Sequence, residues 1–449
     1  MTSPARIAAF HALRAIDADR TDLPAALARS RERLTDERDR GLTAEIVNGT
    51  LRWRRALDHV IVHFARRPLA RIDHDVLTIL RLSLYQILHL DRVPVSAVVD
   101  DAVNITKAAK KTSASGFVNA VLRSTLRDRP NLPLPARPAD LSDREATLAY
   151  LGVTHSHPDW LVARWLDRYG FDATERWVRF DNESPSLMLR ANRLRTTRDE
   201  LAGRLERDDI ETEPARFAPD GLAVTRGNPL QAPIDGSFFV QDEASQLVAL
   251  AMGARPGERI LDLCASPGGK TTAMAAAMED TGTIVATDVR SKRIDLLEQT
   301  VRLSGAQSIS VQRIEAAGAL AFEPFDRVLV DAPCSGLGTI RRDPDIRWRR
   351  QAEDLPPLAS AQLALLERAA ALVRPGGRLV YATCSSEPEE NDAVVDAFLA
   401  SRPGFALADL RHDGGQTLAP VLDARGMLRT LPFAHGLEAF FAAAVVRSR

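Results

Sequence analysis

From Ser237 onward the chain alternates short β-prone runs with amphipathic helical runs, and no other feature restricts the fold as strongly. The β-prone runs cover residues 259–263, 284–287, 308–312, 327–330 and 378–382, and the helical runs cover residues 270–278, 291–303 and 358–373. Strands that alternate with helices form parallel sheets with helices packed on both faces. The sequence therefore predicts a doubly wound α/β domain over residues 237–449, with an antiparallel edge strand at 438–446.

The first 130 residues are predicted to form a separate all-α domain. Apolar residues recur there at three- and four-residue spacings in the segments 6–18, 42–64, 75–89 and 95–110. Five residues of the third segment are expected to face the core: Ile79, Leu82, Leu84, Ile87 and Leu88. Over residues 1–130, Lys and Arg outnumber Asp and Glu by 22 to 15. A basic domain can follow a phosphate backbone, and a solvated helical surface is the alternative.

Two segments separate these domains. Residues 128–143 contain four prolines and few apolar residues, so we expect a linker at 131–143. Residues 144–236 are predicted to form a mixed α/β domain. Its expected elements are a helix at 160–169, a strand at 187–191 and a helix after Thr197.

Composition argues against several classes of protein. No apolar run is long enough to cross a bilayer, and residues 1–22 lack the hydrophobic core of a signal peptide. The three cysteines are odd in number and far apart, which is typical of neither a disulfide framework nor a zinc site. The expectation is a soluble protein of a reducing cytoplasm that needs no metal.

A glycine-rich turn follows the first β-prone run of the α/β domain. It reads Cys264, Ala265, Ser266, Pro267, Gly268, Gly269 and Lys270 and leads into a helix. Glycines let the backbone approach a ligand, and the free N–H groups of a helix start favour an anion, here the carboxylate of a methionine moiety. Asp288, at the end of the second run, can accept hydrogen bonds from ribose hydroxyls. Together these features predict a nucleotide-like cofactor, S-adenosylmethionine.

The other two cysteines follow later β-prone runs. Cys334 lies in the segment Asp-Ala-Pro-Cys-Ser that begins at Asp331, and Cys384 lies in Tyr-Ala-Thr-Cys-Ser. A thiolate that adds to C6 of cytosine activates C5 for methylation, provided that N3 is protonated and the C5 proton is later removed. Asp331 is predicted to protonate N3. The residues alone leave open which cysteine attacks the base.

An arginine-rich loop lies between the two cysteines. Residues 341–350 hold five Arg, two Asp and Trp348. Arginine for phosphates and tryptophan for base stacking are typical of sites that grip unpaired nucleotides. The alternative interpretation is a surface loop anchored by Trp348.

These motifs resemble those of the RNA (cytosine-5) methyltransferases of the NOL1/NOP2/Sun family. Residues 241–247 are similar to that family's entry segment, and residues 157–161 and 190–192 are similar to its preceding domain. In the N-terminal region, residues 49–52, 80–86, 93–95 and 116–123 resemble the NusB-type RNA-binding fold. A NusB-type domain fused to this catalytic domain is the arrangement of bacterial small-subunit rRNA cytosine-C5 methyltransferases.

The resemblance implies a multidomain protein with assigned residues. An all-α NusB-like domain at 1–130 would precede a Rossmann-like, S-adenosylmethionine-dependent methyltransferase domain at 237–449. Cys384 would be the nucleophile, and Cys334 would help to release the product. Cofactor contacts would come from 264–270, Asp288, Asp331 and Glu315. The last of these, Glu315, aligns where the family usually has Asp near the adenine.

The expected function is methylation of C5 of one cytosine in 16S rRNA through a covalent adduct between cysteine and C6. The expected partner is free or early-assembly 16S rRNA, bound by a monomer without a membrane or a metal. Two alternatives remain open at this point. One is the same chemistry on tRNA, and the other is a catalytically inactive RNA-binding ribosome assembly factor.

Overall fold

The computed structural model describes residues 2–231, 235–412 and 415–449. The chain forms two compact units, of which the first comprises Met1–Ser184 and Ile340–Ala352. The second comprises Pro185–Thr339 and Glu353–Arg449. The predicted domain boundaries at residues 130, 143 and 236 concern which segments fold independently, and they stay predictions. None of the described helices is long and apolar enough to cross a membrane.

The N-terminal region of the first unit is helical, as predicted. Its α-helices are Pro4–Asp17, Leu23–Arg33, Glu37–Arg52, Arg54–Ala65, His74–His89, Val95–Ala108 and Ser115–Arg127. Single turns of 3-10 helix occur at Leu69–Arg71, Thr112–Ala114 and Arg129–Asn131. Of the five predicted core residues, Leu88 is half-buried, and the other four are at most 1% exposed.

Two features of this region differ from the prediction. The expected helix at 42–64 is two helices, because Trp53 leaves the helical conformation with a ψ of 12°. Its indole stacks on the ring of His89 with the centroids 4.5 Å apart. The apolar spacing continues across this break and therefore does not reveal it. The helices Leu23–Arg33 and Ser115–Arg127 were also missed.

The remaining helices of the first unit surround a tryptophan pair. They are Arg144–Ala149, Asp159–Tyr169, Phe171–Phe180 and the short Ile346–Arg349, with a π-helical turn at Tyr150–Thr154. The rings of Trp165 and Trp177 stack with their centroids 4.4 Å apart and are at most 1% exposed. Burial of such large aromatic surfaces supplies much of the stabilisation of this region.

The interpretation of Arg347 as an RNA-gripping residue is wrong, whereas that of the half-buried Trp348 stays a prediction. Arg347 is fully buried in the first unit, although the loop that carries it follows Cys334 in the sequence. The indole N–H of Trp348 donates to the carbonyl of Leu51 over 2.6 Å. A guanidinium that is enclosed by protein cannot hold a phosphate, and the bond of the indole agrees with the alternative of a loop anchored by Trp348.

The guanidinium of Arg347 donates hydrogen bonds mainly to backbone carbonyl oxygens. Its Nη1 donates to the carbonyl of Ser156 over 2.9 Å and to the side-chain oxygen of Asn182 over 3.0 Å. Its Nη2 donates to the carbonyl of Asp181 over 3.1 Å. The carbonyl of Arg52 lies 3.4 Å from Nη1. Arg347 therefore joins the N-terminal helices to the segment around residues 156–182.

We expect Arg347→Met to destabilise the first unit by about 3 kcal/mol, because several buried oxygens lose their donor. All five tryptophans lie in this unit, so their fluorescence during denaturant unfolding reports on it. Arg31→Met is the control, since the Arg31 side chain is 64% exposed and its partner Glu37 is 65% exposed. Its expected effect is under about 1 kcal/mol. Equal losses for the two variants would contradict the role of Arg347.

The second unit begins with a small antiparallel sheet. Its strands are β1 (Leu187–Ala191), β2 (Glu211–Pro214), β3 (Gly221–Arg226) and β4 (Phe238–Val240), in the order β2-β3-β1-β4. The helix Arg198–Arg207 begins after Thr197, whose side chain forms a reciprocal capping box with Glu200. The predicted strand at 187–191 and the helix after Thr197 are confirmed.

The larger sheet has a parallel centre, as the alternating pattern predicts. Its strands are β5 (Arg259–Asp262), β6 (Thr283–Asp288), β7 (Ile309–Arg313), β8 (Phe325–Asp331), β9 (Val373–Thr383), β10 (Phe405–Ala408), β11 (Leu428–Arg429) and β12 (Phe441–Arg447). The order is β10-β12-β9-β8-β5-β6-β7, with β11 paired to β12. Strands β5 to β9 pair in parallel, and β12 runs antiparallel to β9 and β10.

Helices cover this sheet. They are Glu243–Ala251, Gly269–Ala277, Ser291–Ser304, Leu355–Ala370 and Asp392–Ser401, with short helices at Gly415–Leu418 and Pro432–His435. Neighbouring strand residues enter different cores, since Ile260 belongs to one apolar cluster and Leu261 to another. Burial on both faces explains why these strands read as continuous apolar runs.

Two predictions were wrong, one about the edge strand of this sheet and one about the end of a helix. The final strand β12 is not an edge strand, because β10 pairs with it on the side away from β9. The four-residue β10 is too short to stand out in the sequence. The helix predicted at 358–373 ends at Ala370, and Val373 already belongs to β9, where it pairs with Phe325.

Candidate active site

The carboxyl ends of β5, β8 and β9 lie side by side. Strand β8 ends at Asp331 and pairs with β5 on one side and with β9 on the other. Strand β9 ends directly before Cys384. Beyond the strand ends, the N–H of Ala332 donates to the carbonyl of Ala382 over 2.9 Å, so the two loops leave the sheet together. Ligands of open α/β sheets bind at this edge.

The thiols of Cys334 and Cys384 are in direct contact there, with their Sγ atoms 3.3 Å apart. The hydrogen bond to Cys384 and burial raise the pKa of Cys334 well above its ordinary value, and the nearby Glu390 adds to the effect. Cys334 therefore keeps its proton at neutral pH. It can donate that proton as a hydrogen bond to the sulfur of Cys384.

The backbone around Cys384 is tightly enclosed. The N–H of Gly338 donates to the carbonyl of Cys384 over 2.9 Å. A Cβ at Gly338 would lie 1.9 Å from the carbonyl oxygen of Ala439, so only glycine fits. On the other side, Asn391 donates to the carbonyl of Ser385 over 2.9 Å. These contacts fix where the Cys384 side chain begins.

An ion pair stands beside the thiols. Nζ of Lys270 is 2.7 Å from a carboxylate oxygen of Asp331. Burial alone would lower the pKa of Lys270, but the carboxylate of Asp331 raises it, so that the amine remains an ammonium group. The side chain of Cys384 also acts electrostatically on this ammonium. Lys270 was predicted as a cofactor residue, and the structure brings it to the catalytic strand end.

The glycine-rich turn has the conformation that close approach of a ligand requires. Cys264, Ala265, Ser266 and Pro267 connect β5 to the helix that begins at Gly269, and Gly268 precedes that helix with a φ of +106°. A Cβ at Gly268 would lie 2.9 Å from the side chain of Leu297. The N–H groups at this helix start form a cradle suited to a carboxylate.

Arg190, a buried arginine of the small sheet, donates hydrogen bonds that support the glycine-rich turn. The guanidinium of Arg190 donates to the side chains of Gln241 over 2.6 Å and Thr272 over 2.8 Å. It also reaches the carbonyl of Gly269 over 3.3 Å. Arg190 and Gln241 belong to the segments that sequence comparison with the family singled out, and here they hold the start of the helix.

The other predicted cofactor residues lie at the neighbouring strand ends. Asp288 ends β6, is 3% exposed, and lies 3.6 Å from the guanidinium of Arg293. Glu315 follows β7 by two residues and is exposed. Burial raises the pKa of Cys264 far above its ordinary value, so this thiol stays protonated and serves as a wall of the crevice.

Asp262 is a functional candidate that sequence reasoning missed. It ends β5 and is 1% exposed, and one of its oxygens accepts from the hydroxyl of Thr271 over 2.7 Å. Its other oxygen, Oδ1, has no hydrogen-bond partner among the residues that the structure describes. Burial, assisted by the charge of Asp331, raises the pKa of Asp262 to about 7. A cationic group of a ligand at this edge would satisfy Oδ1.

Sequence reasoning also missed the polar groups behind the thiols. Asn391, Gln362 and Glu390 are buried there, and Glu390 and Asn391 follow Cys384 by six and seven residues. The one available signal was the serine that directly follows each cysteine. Among the described residues, no group of three or more His, Cys, Asp or Glu side chains is arranged to hold a metal.

Comparison with known proteins places the chain in a family. The sequence profile of the 16S rRNA methyltransferase RsmB/F family matches residues 249–446, and that of the NusB family matches residues 3–127. The RsmF/B-like ferredoxin-like domain matches residues 157–231. The ribosomal RNA small subunit methyltransferase B of Pseudomonas putida is 36% identical over 91% of this chain and 92% of its own length. The chain belongs to the RsmB/F family of 16S rRNA methyltransferases.

Other members of the RsmB/F family and a solved structure agree with this assignment. The ribosomal RNA small subunit methyltransferase B of Pseudomonas syringae pv. tomato is 32% identical over 98% of this chain and 96% of its own length. The crystal structure of PH0851 is similar over 99% of both chains, with a TM-score of 0.81 and 26% identity. The predicted fold class, a NusB-like helical domain followed by an α/β methyltransferase domain, is confirmed.

The raised pKa of Asp262 generates a prediction about pH. In the unfolded chain its pKa returns to 3.8, so between about pH 4 and pH 7 the folded state holds a proton that the unfolded state has lost. This carboxyl therefore stabilises the fold fully below about pH 4, and the stabilisation disappears as the pH rises through 7. Asp262→Asn removes the titration but keeps an oxygen that can accept from Thr271.

We expect the free energy of unfolding of the native protein, measured relative to that of Asp262→Asn, to fall as the pH rises from about 4 to about 8. Hydrogen exchange of the β5 amides measures this locally in the second unit, which has no tryptophan. A difference that stays constant over this range would show that Asp262 titrates at its ordinary pKa.

Proposed function

We propose that the protein methylates C5 of one cytosine in 16S rRNA with S-adenosylmethionine, through a covalent bond between a cysteine and C6 of the base. The approach of Cys334 and Cys384 to 3.3 Å, near the pair of Lys270 and Asp331, carries this proposal. Membership of a family of 16S rRNA methyltransferases supports the class of reaction and substrate.

Cys384 is the nucleophile in this mechanism. C5 of cytosine is a weak nucleophile, and addition of a thiolate at C6 turns it into an enamine-like carbon. The contact between the thiols allows Cys334 to donate a hydrogen bond to Cys384, whose sulfur is then the acceptor and the attacking atom. The residues of the sequence left this choice open, and the resemblance to the family also favours Cys384.

Lys270 and Asp331 handle the proton at N3. When C6 is attacked, negative charge develops on the base unless N3 gains a proton. Lys270 is a protonated donor 2.7 Å from Asp331, so a proton can pass through this carboxylate to N3. The ammonium group also offsets negative charge in a site that Asp262 and Asp331 would otherwise make anionic.

The crevice beside the thiols has groups for each part of the cofactor. S-adenosylmethionine, when bound, supplies an electrophilic methyl group. The helix start at Gly268 and Gly269 would hold its carboxylate, and the free oxygen of Asp262 would accept from its ammonium group. Asp288 would accept from the ribose hydroxyls, and Glu315 is the proposed neighbour of the adenine.

Cys334 acts after methyl transfer. C5 then carries a methyl group and a proton, and removal of that proton restores the C5–C6 double bond and expels Cys384 as a thiolate. While Cys384 is bonded to C6, it no longer accepts the proton of Cys334. Cys334 can then lose its proton to solvent and take the C5 proton as a base, while Lys270 stabilises the departing thiolate.

Two alternatives are weaker. Relatives named for ribosomal RNA and the NusB-family region at 3–127 favour 16S rRNA over tRNA as the substrate. An inactive assembly factor would have no use for two thiols in contact beside a Lys–Asp pair. We further propose that the protein acts as a monomer on free or early-assembly 16S rRNA in the cytoplasm.

Bisulfite sequencing of total RNA tests this function. Cells that lack the gene are complemented with either the native gene or the Cys384→Ala variant. We expect one cytosine of 16S rRNA to be protected from conversion only with the native gene, because the variant has no nucleophile. Protection of a tRNA cytosine instead would support the tRNA alternative. Unchanged RNA in all strains would contradict the enzyme assignment.

Covalent trapping separates the roles of the two cysteines. On RNA with 5-fluorocytosine at the target, the native protein should form a stable adduct, since fluorine cannot leave as a proton does. Cys384→Ala should form none. Cys334→Ala should form an adduct even on ordinary RNA and run as a slow band on a denaturing gel, because release is blocked. The opposite pattern for the two variants would reverse their roles.

Asp288→Ala should weaken binding of S-adenosylmethionine by roughly 2–4 kcal/mol, because two charge-assisted hydrogen bonds to the ribose are lost. Asp331→Asn should affect turnover far more than cofactor affinity, since an amide cannot relay a proton to N3. Titration calorimetry gives both affinities, and single-turnover methylation gives the rates. Equal losses of affinity in the two variants would count against separate roles.

A further inference from the structure

One buried carboxylate connects the loops that carry the two thiols. Glu390 is 0% exposed, and the serines after both cysteines donate to its Oε2. The hydroxyl of Ser335 lies 2.5 Å from Oε2, and its backbone N–H donates to Oε1 over 2.8 Å. The hydroxyl of Ser385 donates to the same Oε2. The two serine oxygens are 3.1 Å apart, close to the 3.3 Å that separates the sulfurs of Cys334 and Cys384.

Further contacts hold Glu390 in place. The side-chain amide of Gln362 donates to Oε1 of Glu390 over 2.9 Å and to the carbonyl of Pro333 over 3.0 Å. The hydroxyl of Tyr381 lies 2.6 Å from the backbone oxygen of Glu390 and 3.1 Å from Gln362. The residue before Cys334 and the residue after it are therefore tied to the same carboxylate.

The hydrogen bonds of the Glu390 carboxylate go to Ser335, Ser385 and Gln362, and the mechanism above does not use it. Burying a carboxylate costs several kcal/mol unless hydrogen bonds replace its hydration. Here the hydrogen bonds that replace the hydration of Glu390 come from Ser335 and Ser385, which directly follow the cysteines, and from Gln362. A carboxylate that served only stability could be satisfied anywhere in the core. This one links two loops that leave different strands, β8 and β9.

We propose that Glu390 is a positioning residue that sets the spacing of Cys334 and Cys384 through Ser335 and Ser385. This inference rests on the proposed function, because the spacing matters only if Cys334 acts on the adduct that Cys384 forms. Cutting the link on the Cys334 side should leave attack by Cys384 intact and slow the removal of the C5 proton. A displacement of about 1 Å from a reacting atom can cost roughly a hundredfold in rate.

The first experiment measures attack and release separately in Ser335→Ala. On 5-fluorocytosine RNA, the rate of adduct formation reports attack alone, and we expect it within about threefold of the native rate. On ordinary RNA, we expect the adduct to accumulate at least about tenfold, because release is slowed. Glu390→Ala, which frees both loops, should slow both steps.

Ser386→Ala is the matched control. Ser386 is also buried in the loop after Cys384, and its hydroxyl donates to Glu387. We expect no accumulation of adduct in this variant. If Ser335→Ala slows attack and release by the same factor, or if Ser386→Ala accumulates adduct to the same extent, Glu390 is a stabilising residue and the proposal is wrong.

A second experiment tests the spacing of the Cys334 and Cys384 thiols without RNA or cofactor. Oxidised dithiothreitol takes two hydrogen atoms from a close pair of thiols, forming their disulfide and reduced dithiothreitol. Mass spectrometry of the Cys334–Cys384 peptides follows the rate. We expect native protein and Ser386→Ala to form this disulfide at similar rates. Ser335→Ala and Ser385→Ala should form it at least about fivefold more slowly, since each lacks one link to Glu390.

These results distinguish failure of the inference from failure of the proposed function. Disulfide rates that are equal in all folded variants would overturn the positioning role, whatever the protein methylates. If native protein forms no adduct on 5-fluorocytosine RNA but the disulfide rates differ as expected, the proposed function fails and the link through Glu390 stands. Because Ser335→Ala and Ser385→Ala each remove one hydroxyl that donates to Glu390, from opposite sides of the link, either variant alone tests it if the other does not fold.

Discussion

The contact between the sulfurs of Cys334 and Cys384 is the constraint on which the rest of the site depends. A hydrogen bond between two thiols requires both loops to stay in register, because hydrogen bonds weaken steeply with distance and angle. Parallel pairing of β8 and β9 brings the loops to one edge, and the close approach at Gly338 leaves little freedom for Cys384. A glycine and buried polar groups therefore serve to position two small side chains, those of Cys334 and Cys384.

Charge at this edge is balanced around one cation. Asp262 and Asp331 end neighbouring strands, and Lys270 is bonded to the second of them. Without the ammonium group, two carboxylates and a thiolate would repel one another in a poorly hydrated crevice. Burial reduces this repulsion, because it raises the pKa of Asp262 to about 7. A bound cation can then shift the protonation of this carboxyl group. The site therefore places an unpaired oxygen of Asp262 beside an ammonium–carboxylate pair, Lys270 and Asp331.

The sequence predicted what depends on local pattern and on chemistry. Alternating runs gave the parallel sheet, and Cys334, Cys384 and Asp331 were found because each follows a β-prone run. The contact between the thiols, the pairing of Lys270 and the free oxygen of Asp262 depend on side-chain positions that only the folded chain defines. Glu390 lies 5 residues from Ser385 and 55 from Ser335, and only the fold shows that it bonds to both. Within residues 341–350, Arg347 was misinterpreted because composition does not distinguish an arginine that donates to buried carbonyls from one that binds phosphate.

The placement of residues 341–350 also limits how RNA binding by the N-terminal region can be studied. Arg347 and Trp348 donate to the backbone oxygens of Arg52 and Leu51, so a chain without its first 130 residues would lose the acceptor of the indole and one of the acceptors of Arg347. Loss of RNA affinity in such a chain would mix lost phosphate contacts with a disturbed first unit. Substituting exposed arginines of the N-terminal helices, with tryptophan fluorescence as a check on folding, avoids this ambiguity. A shallower salt dependence of RNA binding in a variant of unchanged stability would then be attributable to phosphate contacts.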